Sequence, residues 1–398
     1  MYEGATFLTE RQGGSDVGAN AVRAVPCGDH YKLFGEKYFA SNAGRCGVAA
    51  VLARIDGSEP GTKGLSLFLV PWRNEDGTLN SIQIRRLKDK LGVRAVPSAE
   101  VVFDGAKAYV IGDPKKGFYY MMEALNLSRV CNAVGSIGIM KRALEEAKQY
   151  AANRTAFGHK LTDYPMVRET LADLTARQEV QTSACFEMIS VFERVMTAPD
   201  EATEEEKAWN RLLIALLKMR TAEEAIAFAH EAIEMHGGNG YIEDFVTPRL
   251  LRDAQVLTVW EGTANILGLE VLRLMRKYRV HEQFIAKMAE ALSSLSDDVE
   301  PLASPVKQGL HELAEALKRL DGQPEEVQTF HAKKIANRLC DIYLSVVALE
   351  RAQENERNCL IAQLFLQHIW NRHLVDEQML SVRHFEVIIH GQRQLSPS

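Results

Sequence analysis

A chain of 398 residues with 46% hydrophobic and 25% charged residues is long enough for two or three domains around a sizeable core. A formal net charge of -6 offers no electrostatic footprint for nucleic acid or an anionic membrane, so any anionic ligand has to be met by local groups. No apolar run reaches the roughly 20 residues of a membrane span, and Met1-Tyr2-Glu3-Gly4 runs straight into a strand-like segment, so a cytoplasmic protein is expected.

From Met1 to about Val110 the texture is short β-prone runs: Tyr31 to Phe34, Val48 to Ala53, Leu65 to Val70, Ile82 to Leu87 and Ala99 to Phe103. The connections carry Gly and Asp (Gly57-Ser58, Asp76-Gly77, Asp104-Gly105), which argues for an antiparallel barrel or sandwich. From Gly117 the period becomes helical, with Phe118, Met122, Leu125, Arg129 and Ala133 on one stripe that continues to about Ala152. Further helices are expected over Met166 to Met196, Glu204 to Met235 and Ile266 to Tyr278, and four of this length pack as a bundle. More helices follow His281, broken around Pro301, Pro305, Gly322 and Pro324 and ending in a polar tail, Gly391 to Ser398; their expected role is packing or assembly. The reading is an α+β multidomain chain: a β-barrel over 1–112, a four-helix bundle over 113–280 and an additional helical region over 281–398. Cys27, Cys46, Cys131, Cys185, Cys340 and Cys359 lack paired metal-ligand spacing and read as apolar fillers in a reducing compartment, with no metal site expected.

Six short stretches can carry chemistry. Leu8-Thr9-Glu10 through Gly13-Gly14-Ser15-Asp16 is either a hairpin turn or a nest of backbone N–H groups that receives a phosphate, with Ser15 adding a hydroxyl. In Gly35-Glu36-Lys37-Tyr38-Phe39-Ala40-Ser41-Asn42, alternation puts Phe39 and Ser41 on one face, where they either join a sheet core or meet the edge of a planar ring. Arg129 interrupts an apolar stripe and needs an anion, a backbone carbonyl or a wet pocket. Arg154 with Phe157-Gly158 ends the same helix, either as a cationic cap or as a phosphate contact beside an aromatic lid. Gly237-Gly238-Asn239-Gly240 marks a close backbone approach to a ligand or a sharp helix corner. Trp260-Glu261-Gly262-Thr263 places a carboxylate between apolar neighbours at a loop-to-helix junction. There Glu261 either caps the next helix or, losing solvation of its charge, becomes a base with a raised pKa.

In this order, the motifs from Leu8 to Thr263 resemble the acyl-CoA dehydrogenase family, and Arg86-Leu87-Lys88-Asp89-Lys90-Leu91-Gly92 looks closest to its alkylation-response branch. The resemblance covers Met1 to about Tyr278. It implies an oxidoreductase of fatty acid metabolism in which barrel and bundle hold FAD. The flavin takes the β-hydride of an acyl-CoA while Glu261 removes the α-proton. Leu8 and Thr9 would contact the flavin, Phe39 and Ser41 would flank its ring, and Gly14 and Ser15 would meet cofactor phosphates or the thioester ligand. Arg154, Phe157 and Gly238 would reach the adenine half of FAD in a neighbouring subunit of a homodimer or homotetramer. Thr263 and Asn265 would complete the nucleotide contacts, while Arg129 and Trp260, with Ser15, would line the substrate site. An electron-transfer flavoprotein or similar acceptor is the implied redox partner. Members that carry their glutamate on the bundle helix place it at the position of Ser128, which cannot serve, and the related nitroalkane oxidases use aspartate.

Two departures stand out. Members usually begin with an all-helical domain ahead of the barrel, so this chain reads as a truncated form with weakened FAD and substrate binding. Pro165-Met166 replaces a glutamine that contacts FAD in many relatives. The rival readings are a DNA-associated flavoprotein, which the balanced charge after Tyr278 disfavours, and a remnant with little activity.

Overall fold

Seven strands join into one sheet in the computed structural model, which describes residues 3–370 and 376–391. They are β1 (Gly4–Phe7), β2 (Arg23–Cys27), β3 (His30–Ser41), β4 (Val48–Ile55), β5 (Leu65–Pro71), β6 (Ile82–Leu87) and β7 (Ser98–Val110). β4 pairs with β5, β5 with β7, β7 with β3, β3 with β2, and β2 returns to β4, so the sheet closes into a barrel. β1 and β6 extend it as extra partners of β4 and β7. Most ladders are antiparallel, as the hairpin signals imply. β4 differs: both β1 and β2 run parallel to it. Turn residues report how consecutive strands meet, and these pairs are not consecutive.

The barrel interior mixes small and large side chains, Ala24, Ala99, Ala106 and Ala108 beside Phe7, Phe68 and Phe103, as a narrow barrel requires. Its inward phase is reset at two places. On β7, Ala99, Val101 and Phe103 are buried and then Ala106 and Ala108, with Gly105 at φ +83° where the register with β3 shifts. On β3 the shift falls between Lys37 and Ala40, both buried, so Phe39 and Ser41 lie on the face opposite Ala40.

The Lys37–Glu10 ion pair is buried inside the first unit. Lys37 Nζ donates to Glu10 Oε1 at 2.8 Å and to the carbonyl of Leu8 at 3.1 Å. The Glu10 carboxylate also accepts from the backbone N–H groups of Ala21 (2.6 Å) and Val22 (3.1 Å). Burial pulls the Lys37 ammonium down to about 8, and Glu10 opposes that fall.

The chain divides into two compact units, Met1–Ser128 and Arg129–Ser398. The helices are α1 (Gly117–Asn153), α2 (Pro165–Thr197), α3 (Glu204–His236), α4 (Thr247–Gln255), α5 (Ala264–Tyr278), α6 (Val280–Ser293), α7 (Ser304–Leu320), α8 (Glu325–Ala352) and α9 (Glu356–Ile369), with two short helices after residue 379. Thr203 opens α3 with a capping box, its hydroxyl accepting from Glu206 N–H while Glu206 accepts from Thr203 N–H. Helices after residue 280 do not stand apart: Phe284, Leu313, Leu339 and Phe365 join Leu212, Leu216 and Leu274 in a single apolar core. α8 is buried over most of its length, from Ala332 to Ala352. The polar tail beyond Gly391 lies outside the described residues.

Removing Lys37 should leave a buried carboxylate without its cation. Lys37→Met is expected to cost about 3–5 kcal/mol, read by urea unfolding followed at the barrel tryptophan, Trp72. Adding Glu10→Gln to it should recover a large part of that loss, and a double variant no better than the single would assign the effect to packing.

Candidate functional site

α4 runs into a single 3-10 turn, Val256–Thr258, and the chain then bends before α5. At the bend Glu261 has φ +60° and Gly262 φ +105°, the left-handed region. For a residue with a Cβ this costs roughly 1–2 kcal/mol and survives only where the surroundings over-determine it.

Here the surroundings are two buried cations. Lys218 of α3, 1% exposed, donates from Nζ to the carbonyls of Trp260 and Gly262, each at 2.7 Å. Arg129 of α1 donates from Nε to the carbonyl between them, that of Glu261, at 2.9 Å. Of the partners open to Arg129, a backbone carbonyl is therefore one it has taken. Burial pulls the Lys218 ammonium down to about 8, with Glu261 pulling upward and Arg129 downward. Burial likewise lowers Arg129, opposed by Glu270 and Glu261.

Glu261 does not cap α5: the N-cap is Thr263, whose own hydroxyl makes no cap hydrogen bond. Glu261 Oε2 is instead buried without a hydrogen-bond partner among the described residues. A buried acceptor left open this way is uncommon and marks a place for an incoming donor. Trp260 is 36% exposed beside it, and Thr263 and Asn265 are exposed on the following turn.

A second feature of the helical unit is a cleft of about 680 Å³. Arg154 and Gly238 both line it, with Tyr150, His236 and Asn239. Tyr150 stacks on His236 at 4.2 Å and accepts from Asn239 Nδ2 at 3.0 Å. Phe157, at φ +51°, is 96% exposed and is not among the lining residues. In the glycine run it is Gly240 that the corner demands, since a Cβ there would meet the Ile233 carbonyl at 2.4 Å; Gly238 has open space. The residues of the Glu261 turn do not line this cleft.

In the barrel unit Leu8, Thr9, Gly14 and Ser15 share one loop. The Thr9 carbonyl accepts from Tyr38 N–H at 2.9 Å, which brings that loop beside Phe39 on β3. A Cβ on Gly14 would lie 2.7 Å from Thr9 Oγ1, so a larger residue there would have to displace the Thr9 side chain. Phe39 is 56% exposed and thus not a core aromatic, Ser41 Oγ lies 3.4 Å from Ser98 Oγ, and Ser15 is exposed.

Sequence reasoning missed both buried lysines. The signal for Lys218 was present, a lone cation in the apolar run Leu212-Leu213-Ile214-Ala215-Leu216-Leu217-Lys218-Met219. Lys37 left a weaker trace, one charge at an inward strand position.

A closed barrel followed by long helices and a carboxylate turn is the construction of one class of oxidoreductases. The family model described as acyl-CoA dehydrogenase, middle domain, matches residues 5–106, and the C-terminal domain model of the same family matches 115–275. Acyl-CoA dehydrogenase family member 11 of Caenorhabditis elegans is 35% identical over 366 residues, 88% of this chain and 58% of the worm protein. The putative acyl-CoA dehydrogenase AidB of Escherichia coli K12 is 36% identical over 271 residues, covering 68% of this chain and 48% of that protein. The crystal structure of C. elegans ACDH-11 in complex with C11-CoA matches 98% of this chain and 68% of its own, at 31% identity and a TM-score of 0.86. The chain belongs to the acyl-CoA dehydrogenase family. It spans about half the length of these two curated relatives. Among the described residues no helix is long and apolar enough to cross a membrane.

Strain at the turn is testable without any ligand. Glu261→Gly and Glu261→Ala both delete the carboxylate, yet the glycine variant should be more stable by roughly 1 kcal/mol because it alone tolerates positive φ. Equal thermal midpoints would show that the turn relaxes freely.

Proposed function

We propose that this chain carries out the α,β-dehydrogenation of an acyl-CoA thioester with FAD as the oxidant, Glu261 taking the α-proton. The observation that carries the reading is the buried, partnerless Oε2 of Glu261 on a turn held by two cations. An oxygen that no protein donor occupies is free to accept a substrate proton, and a fixed turn keeps it in place between turnovers. Trp260 and Arg129, beside the same carboxylate, line the substrate site, and Ser15 is assigned to the thioester or cofactor.

The residues present fit FAD. Phe39 offers an exposed aromatic face with the Ser41 hydroxyl on the same side of the strand, suited to a flat ring and its polar edge. The Leu8-Thr9 loop lies beside it, and the Gly13-Gly14-Ser15 segment supplies backbone N–H groups for anionic oxygens. Arg154 and Gly238 share a cleft able to take a nucleotide end, with Phe157 exposed nearby in sequence; a neighbouring subunit's adenine is assigned there. Thr263 and Asn265 are assigned to the remaining nucleotide contacts. When bound, FAD supplies the acceptor for the hydride leaving the β-carbon.

Support for the substrate class comes from the C11-CoA held by the C. elegans relative. The finer architecture, α1, α2, α3 and α5 as the family's four-helix bundle, belongs to the same proposal, as do assembly into a homodimer or homotetramer, reoxidation by an electron-transfer flavoprotein and a cytoplasmic location.

The test is a visible absorbance spectrum of the purified chain titrated with acyl-CoA thioesters. A flavin band should bleach, and Glu261→Gln should keep the band while bleaching roughly 10²- to 10⁴-fold more slowly. Bleaching at the unaltered rate would place the base elsewhere.

A further inference from the structure

Three successive carbonyls, those of Trp260, Glu261 and Gly262, accept hydrogen bonds from side chains of α3 and α1. We propose that Lys218 is a positioning residue for Glu261, its single ammonium pinning the carbonyls on either side of that residue and so fixing the left-handed bend that aims the carboxylate. This rests on the reading of Glu261 as the base.

The geometry gives the lysine this task more directly than it does Arg129. Bonds to carbonyls 260 and 262 fix the orientation of the peptide planes that flank the bend, and Arg129 donates from Nε to the carbonyl between them. Lys218 is 1% exposed in a stretch of α3 where Leu216, Leu217 and Met219 are also buried, so an apolar replacement there brings no donor to those carbonyls. With those two carbonyls unsupported, only the Arg129 bond to the carbonyl between them still opposes relaxation of the positive φ of Glu261, and a return to the right-handed region would swing its Cα–Cβ bond away.

The ammonium also sets a pH dependence with two opposite signs. The charged groups acting on it are Glu261 from the turn and Arg129 from α1, and burial holds it at about 8 against an ordinary value of 10.5. As pH rises through about 8 the folded chain loses this proton, and a neutral amine makes weaker hydrogen bonds than an ammonium, so the bend loosens. Between about 8 and 10.5 the unfolded chain still binds the proton, so Lys218 makes unfolding harder as pH rises across that window. A lysine that only filled space in the core would show the second effect without the first.

The experiment uses the full FAD-loaded chain, unaltered and as Lys218→Met and Lys218→Gln. Two signals are followed: flavin bleaching by acyl-CoA in single turnover, and the emission of Trp260, isolated by subtracting the Trp260→Phe protein. Lys218→Met should keep flavin content and KM near the unaltered values while bleaching about 10²-fold more slowly, the size of effect that a misplaced group produces. Trp260 emission of the unaltered chain should change from about pH 7 to about pH 10, and Lys218→Met should abolish that change. Unaltered bleaching in Lys218→Met, or flat Trp260 emission in the unaltered chain, overturns the proposal. If neither variant folds, the emission titration of the unaltered chain decides alone. Failure of the base reading is seen separately, as fast bleaching in Glu261→Gln, and leaves the emission result standing as a test of the turn.

Discussion

Two cations in a dry interior, each bonded to the backbone of one bend, are what the helical unit is arranged around. A glutamate at φ +60° followed by a glycine at φ +105° is a conformation the chain does not adopt unaided. It exists because Lys218 and Arg129 reach the three carbonyls around it, and those cations are where they are because α3 and α1 are long, rigid and packed. Removing polar groups from water is repaid only by complete hydrogen bonding, so the same burial that makes the lysine costly makes its two short bonds strong. An acceptor left open at this bend, Oε2 of Glu261, is the atom to which the chemistry is assigned.

The helices after residue 280 have a physical part in this. Leu339 and Cys340 of α8 are buried in the core that contains Leu216 and Leu217, and Cys340 Sγ lies 3.7 Å from the carbonyl of Leu216, two residues from Lys218. α8 also comes so close to α5 that a Cβ on Gly268 would be 3.1 Å from the backbone of Lys333. The Arg220–Asp341 ion pair at 2.6 Å fixes how α8 sits along α3.

The barrel unit shows the same economy of means. Lys37, fully buried, bonds the Leu8 carbonyl and Glu10 on either side of Thr9, and Thr9 in turn bonds β3 next to Phe39. In both units, then, a buried lysine ties down an irregular segment next to an assigned functional residue. Regular ladders and helices satisfy their own backbone, and irregular segments need donors from side chains. That is why both lysines, each inside a regular element, reach across to a segment where the regular hydrogen-bond pattern ends.

What the sequence determined by itself was the kind and order of the elements and the short motifs. Short β-prone runs with Gly and Asp connections gave β3 to β7, and the helical stripes beginning near Gly117, Met166, Glu204 and Ile266 lie within a few residues of the observed helices, because both signals are local. The family resemblance followed from motif order, and the domain models that match the chain agree with it. What only tertiary structure decided was anything that depends on residues far apart in the chain. The parallel pairings of β4, the bulge that turns Phe39 outward, the core shared by the last third with α3 and α5, and the union of Arg154 with Gly238 in one cleft are of this kind. So is the role of Lys218, a single lysine in a leucine run whose partners lie more than forty residues away, at 260 and 262. Hydrogen-bond partners at that separation leave no periodic mark on a sequence; they are chosen by how the helices pack.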